Sequence, residues 1–265
     1  HIKGIAMCFG KNFEGLAKEI ISRELGMPVE LHDNGSESGM FDLRIGSKIA
    51  PLYAIECVGA VERKAMETWN IGPGKGVLSY GSSSNWIVSI TKTTNIKYLK
   101  KQLPEVICLL ESLKFVGNIY VDSYLELAHE GLFNRLHKLG ITSVDKCKDS
   151  GDGKIYLTMD CENGGPINQN GNALAEWVGD FLRASPNSDV IKKLVNSGAQ
   201  KKHVFIKIVS DHVPWDVESY FYGEMLNPSI SPILPAPVDG VWIILNGKGI
   251  KYVDHNWCVF EYKNA

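Results

Sequence analysis

The spacing of apolar residues along the chain predicts both helices and strands. Apolar residues recur every three or four positions from Phe13 to Leu25, where Asn12 is placed to cap a helix and Gly26 to end it. Shorter stretches of alternating or continuous apolar residues are typical of strands. Both patterns occur along the whole chain, which predicts an α/β protein of the mixed α+β class.

The same patterns locate the other elements. Further helices are predicted at residues 60–70, 96–113, 125–139, 173–183, 189–197 and 215–226. Strands are predicted at residues 29–32, 86–90, 118–121, 141–144, 155–159, 204–209, 241–245 and 257–262, with a hairpin turn between 141–144 and 155–159. Residues 163–172 are rich in Gly, Asn and Pro and form the best candidate for a domain boundary.

The length of the chain limits the number of domains. With 265 residues and 44% hydrophobic content, the chain is one large domain or two small ones. We expect an α/β core at residues 1–116, a connecting α/β segment at 117–162 and a C-terminal α/β half at 163–265. That half either completes the sheet of the first half or forms a second lobe.

Two neighbouring strand patterns each contain one acidic residue. Residues 41–45 alternate between apolar and polar side chains and include Asp42, whereas residues 52–58 are apolar except for Glu56. The link between them, residues 46–51, contains the Gly and Pro of a turn. A hairpin would therefore bring Asp42 and Glu56 close together. A buried acid is costly unless it is paired, hydrogen-bonded or bound to a metal ion, which makes this hairpin the best functional candidate.

Two acids on adjacent strands suit a hard divalent cation such as Mg²⁺, which prefers oxygen ligands and retains several waters. Such an ion can activate water and stabilise a phosphoryl transition state. We therefore expect Mg²⁺ or Mn²⁺ as the cofactor, with Asp42 and Glu56 as ligands.

This layout resembles the PD-(D/E)xK nuclease superfamily over roughly the first ninety residues. The segment from Phe13 to Leu25, with Glu14, is similar to the first helix of that superfamily. Phe41-Asp42 is similar to its Pro-Asp position, and Ile55-Glu56-Cys57-Val58 to its Glu-x-Lys strand. The resemblance implies a restriction-endonuclease-like central mixed sheet flanked by helices. It also implies metal ligands at Asp42, Glu56 and Glu14, and DNA or RNA as the partner. The whole chain also resembles a group of uncharacterised bacterial proteins, which implies no function.

The resemblance departs from the superfamily pattern at two positions. Phe41 stands at the Pro position, and Val58 stands where the superfamily has its catalytic Lys. Some members of the superfamily supply this cation from the following helix, and Lys64 or Lys75 is available there. Lys75, in a glycine-rich loop at residues 71–76, is our choice, so the predicted catalytic set is Asp42, Glu56 and Lys75.

Two other functions remain open at this point. The first is a nuclease-like fold without catalysis, acting as a binding or regulatory module, which the Val58 replacement favours. The second is a hydrolase of another class with a Cys or Ser nucleophile; Cys57 adjoins Glu56, but no His can be placed beside it from the sequence.

The composition of the chain limits the binding partners and the cellular location that we expect for the protein. The net charge is −2 and the isoelectric point about 6.4, so there is no global positive field to attract nucleic acid. The six cysteines form no Cys-x-x-Cys pair, which favours free thiols in a reducing cytoplasm. No apolar run reaches the roughly 18 residues of a membrane span, and the N-terminus lacks the apolar region of a signal peptide. We therefore expect no membrane partner.

Overall fold

The computed structural model describes residues 13–36, 38–73, 77–81, 84–114, 118–120, 130–150, 152–160 and 167–263. Its contacts divide the chain into two compact units. The split unit combines the described residues of 1–61 with those of 163–265, and the inserted unit comprises the described residues of 62–162. The inserted unit therefore interrupts the sequence of the split unit once.

The helices and strands follow one another through both units. The N-terminal part of the split unit contains α1 (Phe13–Leu25), β1 (Glu30–Leu31), β2 (Leu43–Gly46) and β3 (Pro51–Ala60). The inserted unit contains α2 (Arg63–Ile71), β4 (Val77–Ser79), β5 (Ser84–Ile90), α3 (Ile96–Ser112), β6 (Asn118–Tyr120), α4 (Glu130–Lys138), β7 (Ile141–Ser150) and β8 (Lys154–Met159). The C-terminal part of the split unit contains α5 (Asn172–Arg183), α6 (Ser188–Asn196), β9 (Lys201–Ile208), α7 (Trp215–Glu218), β10 (Gly240–Leu245), β11 (Lys248–Val253) and β12 (Asn256–Glu261), with short 3₁₀ turns at Ser185–Asn187 and Ser219–Phe221.

The described strands of the split unit form one seven-stranded mixed sheet, in the order β1-β2-β3-β9-β10-β11-β12. The three central strands β3, β9 and β10 are parallel, and the outer neighbours pair antiparallel. The centre of the sheet is buried on both faces, as parallel strands usually are. It joins the two separate stretches of chain, because β3 comes before the inserted unit and β9 after it.

Successive residues of these strands enter two different cores, because side chains alternate between the faces of a sheet. In β10, for example, Val241 and Ile243 lie in one cluster and Trp242 in the other. Apolar residues of α5, such as Leu174, and Leu194 of α6 belong to the first cluster. Residues of α1, such as Ile20, belong to the second. Helices therefore pack on both faces of the sheet.

The inserted unit has its own sheet and its own core. Its described strands are ordered β4-β8-β5-β7-β6, and helices α3 and α4 supply apolar residues to a cluster on one face. Trp86, Val88 and Ile90 of β5 point into this cluster, whereas Ile87 between them is 36% exposed. The inserted unit is therefore a folded α/β unit rather than a long loop.

The predicted mixed α+β class is confirmed, and most predicted elements are present. Three details differ. The strands predicted at 141–144 and 155–159 form no hairpin, because β5 lies between β7 and β8. The helix predicted at 215–226 is short, since α7 ends at Glu218 and a 3₁₀ turn ends at Phe221. Strands β4 and β11 were not predicted.

The domain division also differs from the prediction. The predicted core of residues 1–116 crosses the boundary between the units at residue 61, and the predicted segment 117–162 belongs to the inserted unit. The predicted C-terminal half, 163–265, begins where the chain returns to the split unit and completes its sheet. None of the helices in the described part of the chain is long and apolar enough to cross a membrane.

Candidate active site

The two acids of the predicted hairpin do lie together. Strands β2 and β3 pair antiparallel, with Leu43 opposite Ile55. The same register places Asp42, just before β2, opposite Glu56. Both are buried, with Asp42 8% and Glu56 3% exposed. A ten-residue strand that is apolar on both faces carries Glu56 into the centre of the sheet, between β2 and β9.

Each carboxylate uses one oxygen for a hydrogen bond within the protein. The backbone N–H of Cys57 donates to Oδ2 of Asp42 at 2.6 Å. The ammonium group of Lys193 donates to Oε2 of Glu56 at 3.3 Å. Oε1 of Glu56 is buried and has no hydrogen-bond partner among the described residues. A buried polar atom without a partner is rare and needs an explanation, such as a bound ion or water.

Lys193 reaches Glu56 from helix α6. This helix places Leu194 in the core cluster on the Glu56 side of the sheet, with Val190 and Ile191 packed against it. Lys193 lies three residues after Val190 and therefore shares the side of the helix that faces the sheet. Its side chain is 19% exposed, so the ion pair lies between the buried acids and solvent.

Burial and mutual repulsion disfavour the charged forms of both acids. Burial raises the pKa of Asp42 to about 6, although the Cys57 N–H and Lys193 act in the opposite direction. Burial, and then the charge of Asp42, raise the pKa of Glu56 to about 8, against the attraction of Lys193. Burial alone would lower the pKa of Lys193, but the carboxylates of Glu56 and Asp42 raise it overall. The acid pair therefore holds a proton at neutral pH that a bound cation would displace.

Three more carboxylates act on this centre through space. Glu14, exposed on the first turn of α1, and Asp33, in the loop after β1, both raise the pKa of Asp42. Asp189, in the first turn of α6, raises the pKa of Glu56. These charges make the surroundings of the pair acidic and favour a cation there.

The predicted site residues do not all lie together in the structure. It brings Asp42 and Glu56 together, whereas Glu14 contributes only its charge. Among the described residues, no group of three or more His, Cys, Asp or Glu side chains is arranged to hold a metal ion. The role of Glu14 as a third metal ligand stays a prediction. Lys75 lies outside the described residues, and Lys64 belongs to α2 of the inserted unit, with its side chain outside them.

Lys193 was missed by sequence reasoning. The predicted cations, Lys64 and Lys75, come soon after β3 along the chain, in α2 and in the glycine-rich loop. The first helices that follow β3 within the split unit are α5 and α6, which come only after the inserted unit. A signal was present, because Lys193 falls on the apolar side of an otherwise amphipathic helix.

The environment of Cys57 disfavours a thiol nucleophile. Burial raises the pKa of the Cys57 thiol, and the nearby carboxylates of Asp42, Glu14 and Glu56 raise it further. The reactive form of cysteine is the thiolate, which this environment suppresses.

The residues present fit a divalent cation of the magnesium type. Mg²⁺ is commonly held by one or two carboxylates, with water and substrate phosphate completing its coordination. The hydrogen bonds within the protein leave Oε1 of Glu56 free, and they engage only Oδ2 of Asp42. The pair can therefore offer one oxygen from each residue while Cys57 and Lys193 hold the other two.

Comparison with protein-family models, with curated proteins and with solved structures gives no match. The chemistry and geometry of the site therefore carry the functional proposal.

Proposed function

We propose that this protein is a metal-dependent phosphodiesterase of the nuclease class, with DNA or RNA as its substrate. The observation that carries the proposal is the buried pair Asp42–Glu56 with Lys193 at 3.3 Å from Glu56. Two acids and a cation are the groups that the nuclease resemblance requires, and Lys193 supplies the cation that is missing at Val58. The helix position of Lys193 agrees with the members that supply this cation from a following helix.

Each residue has a distinct role in this proposal. Asp42 and Glu56 would hold Mg²⁺ or Mn²⁺ through the oxygens that the protein leaves free. Such an ion would lower the pKa of a water molecule and neutralise charge on the scissile phosphate. Cys57 orients Asp42 through its backbone N–H. Lys193 orients Glu56 in the resting site and stabilises the developing negative charge on the phosphate during hydrolysis.

The experiment combines metal binding with cleavage. The melting temperature of the parent and of Asp42→Ala is measured with and without Mn²⁺, and both proteins are assayed on DNA and RNA with Mg²⁺ or Mn²⁺. We expect Mn²⁺ to stabilise the parent, because an ion that binds only the folded state raises its stability by mass action. We expect Asp42→Ala to lose both this stabilisation and the cleavage. Equal cleavage by the variant and the parent would refute the proposal.

A catalytically inactive binding or regulatory module is the second candidate. The Lys193–Glu56 contact favours it, because an ion pair and a shared proton together neutralise the site without any metal. On this alternative, Mn²⁺ leaves the melting temperature of the parent unchanged and no substrate is cleaved.

A cytoplasmic location remains part of the proposal, and it agrees with the free thiols of Cys57, Cys108, Cys147 and Cys258.

A further inference from the structure

Arg44, near the acid pair, is a second residue with a buried polar atom that lacks a hydrogen-bond partner among the described residues. Its Nε atom is buried and has no hydrogen-bond partner among the described residues. Its Nη2 atom donates to Glu30 on β1, the residue directly opposite in the sheet. The side chain of Arg44 is only 13% exposed, whereas that of Glu30 is 61% exposed. The guanidinium is therefore fixed in place by a partner that is itself largely in solvent.

The strand register places Arg44 on the same face of the sheet as Glu56. Arg44 pairs with Ala54, and Ala54 lies in the core cluster on the α5–α6 side. Glu56 is two residues further along β3, so its side chain leaves the sheet on the same side. Residues in this diagonal relation have Cα atoms about 7–8 Å apart. An unbonded donor, Nε of Arg44, and an unbonded acceptor, Oε1 of Glu56, thus belong to residues at diagonal positions on one face of the sheet.

A phosphate group matches the unused capacity of Arg44. The Nε–H and one terminal N–H of a guanidinium form a fork that binds two phosphate oxygens at once. Glu30 uses only the terminal part of this fork. Because Glu30 is 61% exposed and regains full hydration when it leaves Arg44, a phosphate can replace Glu30 and also satisfy Nε.

We propose that Arg44 binds a substrate phosphate next to the one held at the Asp42–Glu56 pair. This inference rests on the proposed function and deepens it. It makes the substrate a polynucleotide strand, gripped at two phosphates, rather than a mononucleotide or a small phosphate ester. Arg44 is a substrate-binding residue in this assignment, and Glu30 is the partner that occupies it in the absence of substrate.

The test measures binding separately from cleavage. A short fluorescein-labelled oligonucleotide, as DNA and as RNA, is titrated with protein in EDTA, where no metal-dependent cleavage occurs, at several salt concentrations. Arg44→Gln is expected to weaken binding by about tenfold to a hundredfold, the effect of losing hydrogen bonds to a charged group. It is also expected to reduce the slope of log affinity against log salt by about one. In the cleavage assay, KM should rise more than kcat falls.

The matched control is Glu30→Gln, which removes the same ion pair but keeps the arginine. We expect it to bind the oligonucleotide as tightly as the parent or more tightly, because it releases the fork. Arg44→Lys keeps the charge without the fork and should fall between the parent and Arg44→Gln, which maintains the test if Arg44→Gln does not fold.

Three outcomes would overturn the assignment: no binding by the parent, equal binding by the parent and both Arg44 variants, or an equal loss in Glu30→Gln and Arg44→Gln. The last would show that only the ion pair matters. A parent that cleaves while its Arg44 variants bind normally refutes this inference alone. A parent that binds through Arg44 without cleaving refutes the proposed catalysis alone.

Discussion

Two glutamates of the split unit are buried to the same extent but in different surroundings. Glu56 is 3% exposed and Glu218 is 2% exposed. Around Glu218, Tyr222 donates its hydroxyl to Oε1, and the backbone N–H of Asp211 donates to Oε2 at 2.7 Å. Around Glu56, Lys193 reaches only Oε2, and Oε1 has no partner among the described residues.

This difference separates a structural acid from a candidate functional one. Glu218 uses both oxygens to hold local structure, including the left-handed backbone of Asp211 at φ 67°. Its burial is thus compensated within the protein. Only one carboxylate oxygen of Glu56 forms a hydrogen bond among the described residues, and Glu56 lies beside a second buried acid, Asp42. Because such an arrangement destabilises the metal-free fold, its presence favours a bound group over a purely structural role.

The largest expected effect is a loss of nuclease activity on substitution of Glu56, but not of Glu218. Glu56→Gln should lower metal-dependent cleavage by about 100-fold to 1000-fold, because the metal ion supplies several kcal/mol of transition-state stabilisation. Cleavage is measured on DNA and RNA at saturating Mn²⁺. Glu218→Gln, which changes charge at equal burial, is the matched control and should keep the cleavage activity of the parent.

Stability should show the reverse order. Glu218→Gln disturbs two hydrogen bonds at a buried site and should lose about 1–3 kcal/mol in the free energy of unfolding. Glu56→Gln should lose less than this in metal-free buffer. If Glu218→Gln abolished cleavage while remaining folded, the distinction between the two residues would be lost.

The next effect concerns Lys193. Lys193→Met should lower kcat by about 100-fold through loss of transition-state charge stabilisation, while Mn²⁺ still stabilises the protein. Lys192→Met, at the exposed neighbouring position of the same helix, should leave both unchanged. Loss of Mn²⁺ binding in Lys193→Met would mean that Lys193 acts only by holding Glu56.

A smaller effect should appear in the pH dependence of stability. Burial raises the pKa values of Asp42 and Glu56 in the folded state to about 6 and about 8. Between about pH 4, where these acids titrate in the unfolded chain, and pH 8, the folded state therefore binds more protons at these groups. Their contribution to stability is present at low pH and is lost as pH rises through the folded pKa values.

Urea unfolding in EDTA at several pH values tests this expectation. Stability of the parent should fall between pH 5 and 8.5 by about 1–2 kcal/mol per pH unit, whereas Glu56→Gln should show a shallower decline. Mn²⁺ should reduce the decline by replacing the proton. Parallel pH profiles of the parent and Glu56→Gln would contradict the raised pKa of Glu56.

The smallest expected effect belongs to Glu14. Because Glu14 is exposed and acts only through its charge, Glu14→Gln should change Mn²⁺ affinity by less than about threefold, and added salt should reduce the change further. Titrations with Mn²⁺ at low and high ionic strength measure this. A loss as large as that of Asp42→Ala would instead make Glu14 a direct ligand.

The acid pair could be predicted from sequence because its geometry is local. Asp42 and Glu56 lie on a hairpin whose turn and alternation are visible within about twenty residues, a short-range signal. Lys193 could not be placed in the same way, because the inserted unit separates it from β3. Periodicity locates helix α6, but no local pattern shows which earlier strand it packs against.

A turn sequence directly before strand β11 is a signal for that strand. Lys248-Gly-Ile-Lys-Tyr-Val lacks the continuous apolar run of its neighbour β10, and was therefore not predicted as a strand. The preceding residues Asn246-Gly247 both have positive φ, and the strands on either side pair from Leu245 and Lys248 outward. An Asn-Gly pair is a strong indicator of a two-residue hairpin. Turn chemistry identifies this strand better than hydrophobicity does.

The position of the inserted unit has a consequence for how the protein folds. Strand β3, with Glu56, pairs with β9, which the ribosome produces only after the whole inserted unit. Contacts this distant in sequence form slowly, because a long loop must close before they stabilise anything. If the inserted unit folds first around its own core, the loop between β3 and β9 is effectively shorter, because the folded unit fixes the distance between its own two ends. Assembly of the acid pair with Lys193 is then a late step, completed only after β9, which ends at Ile208, has been made.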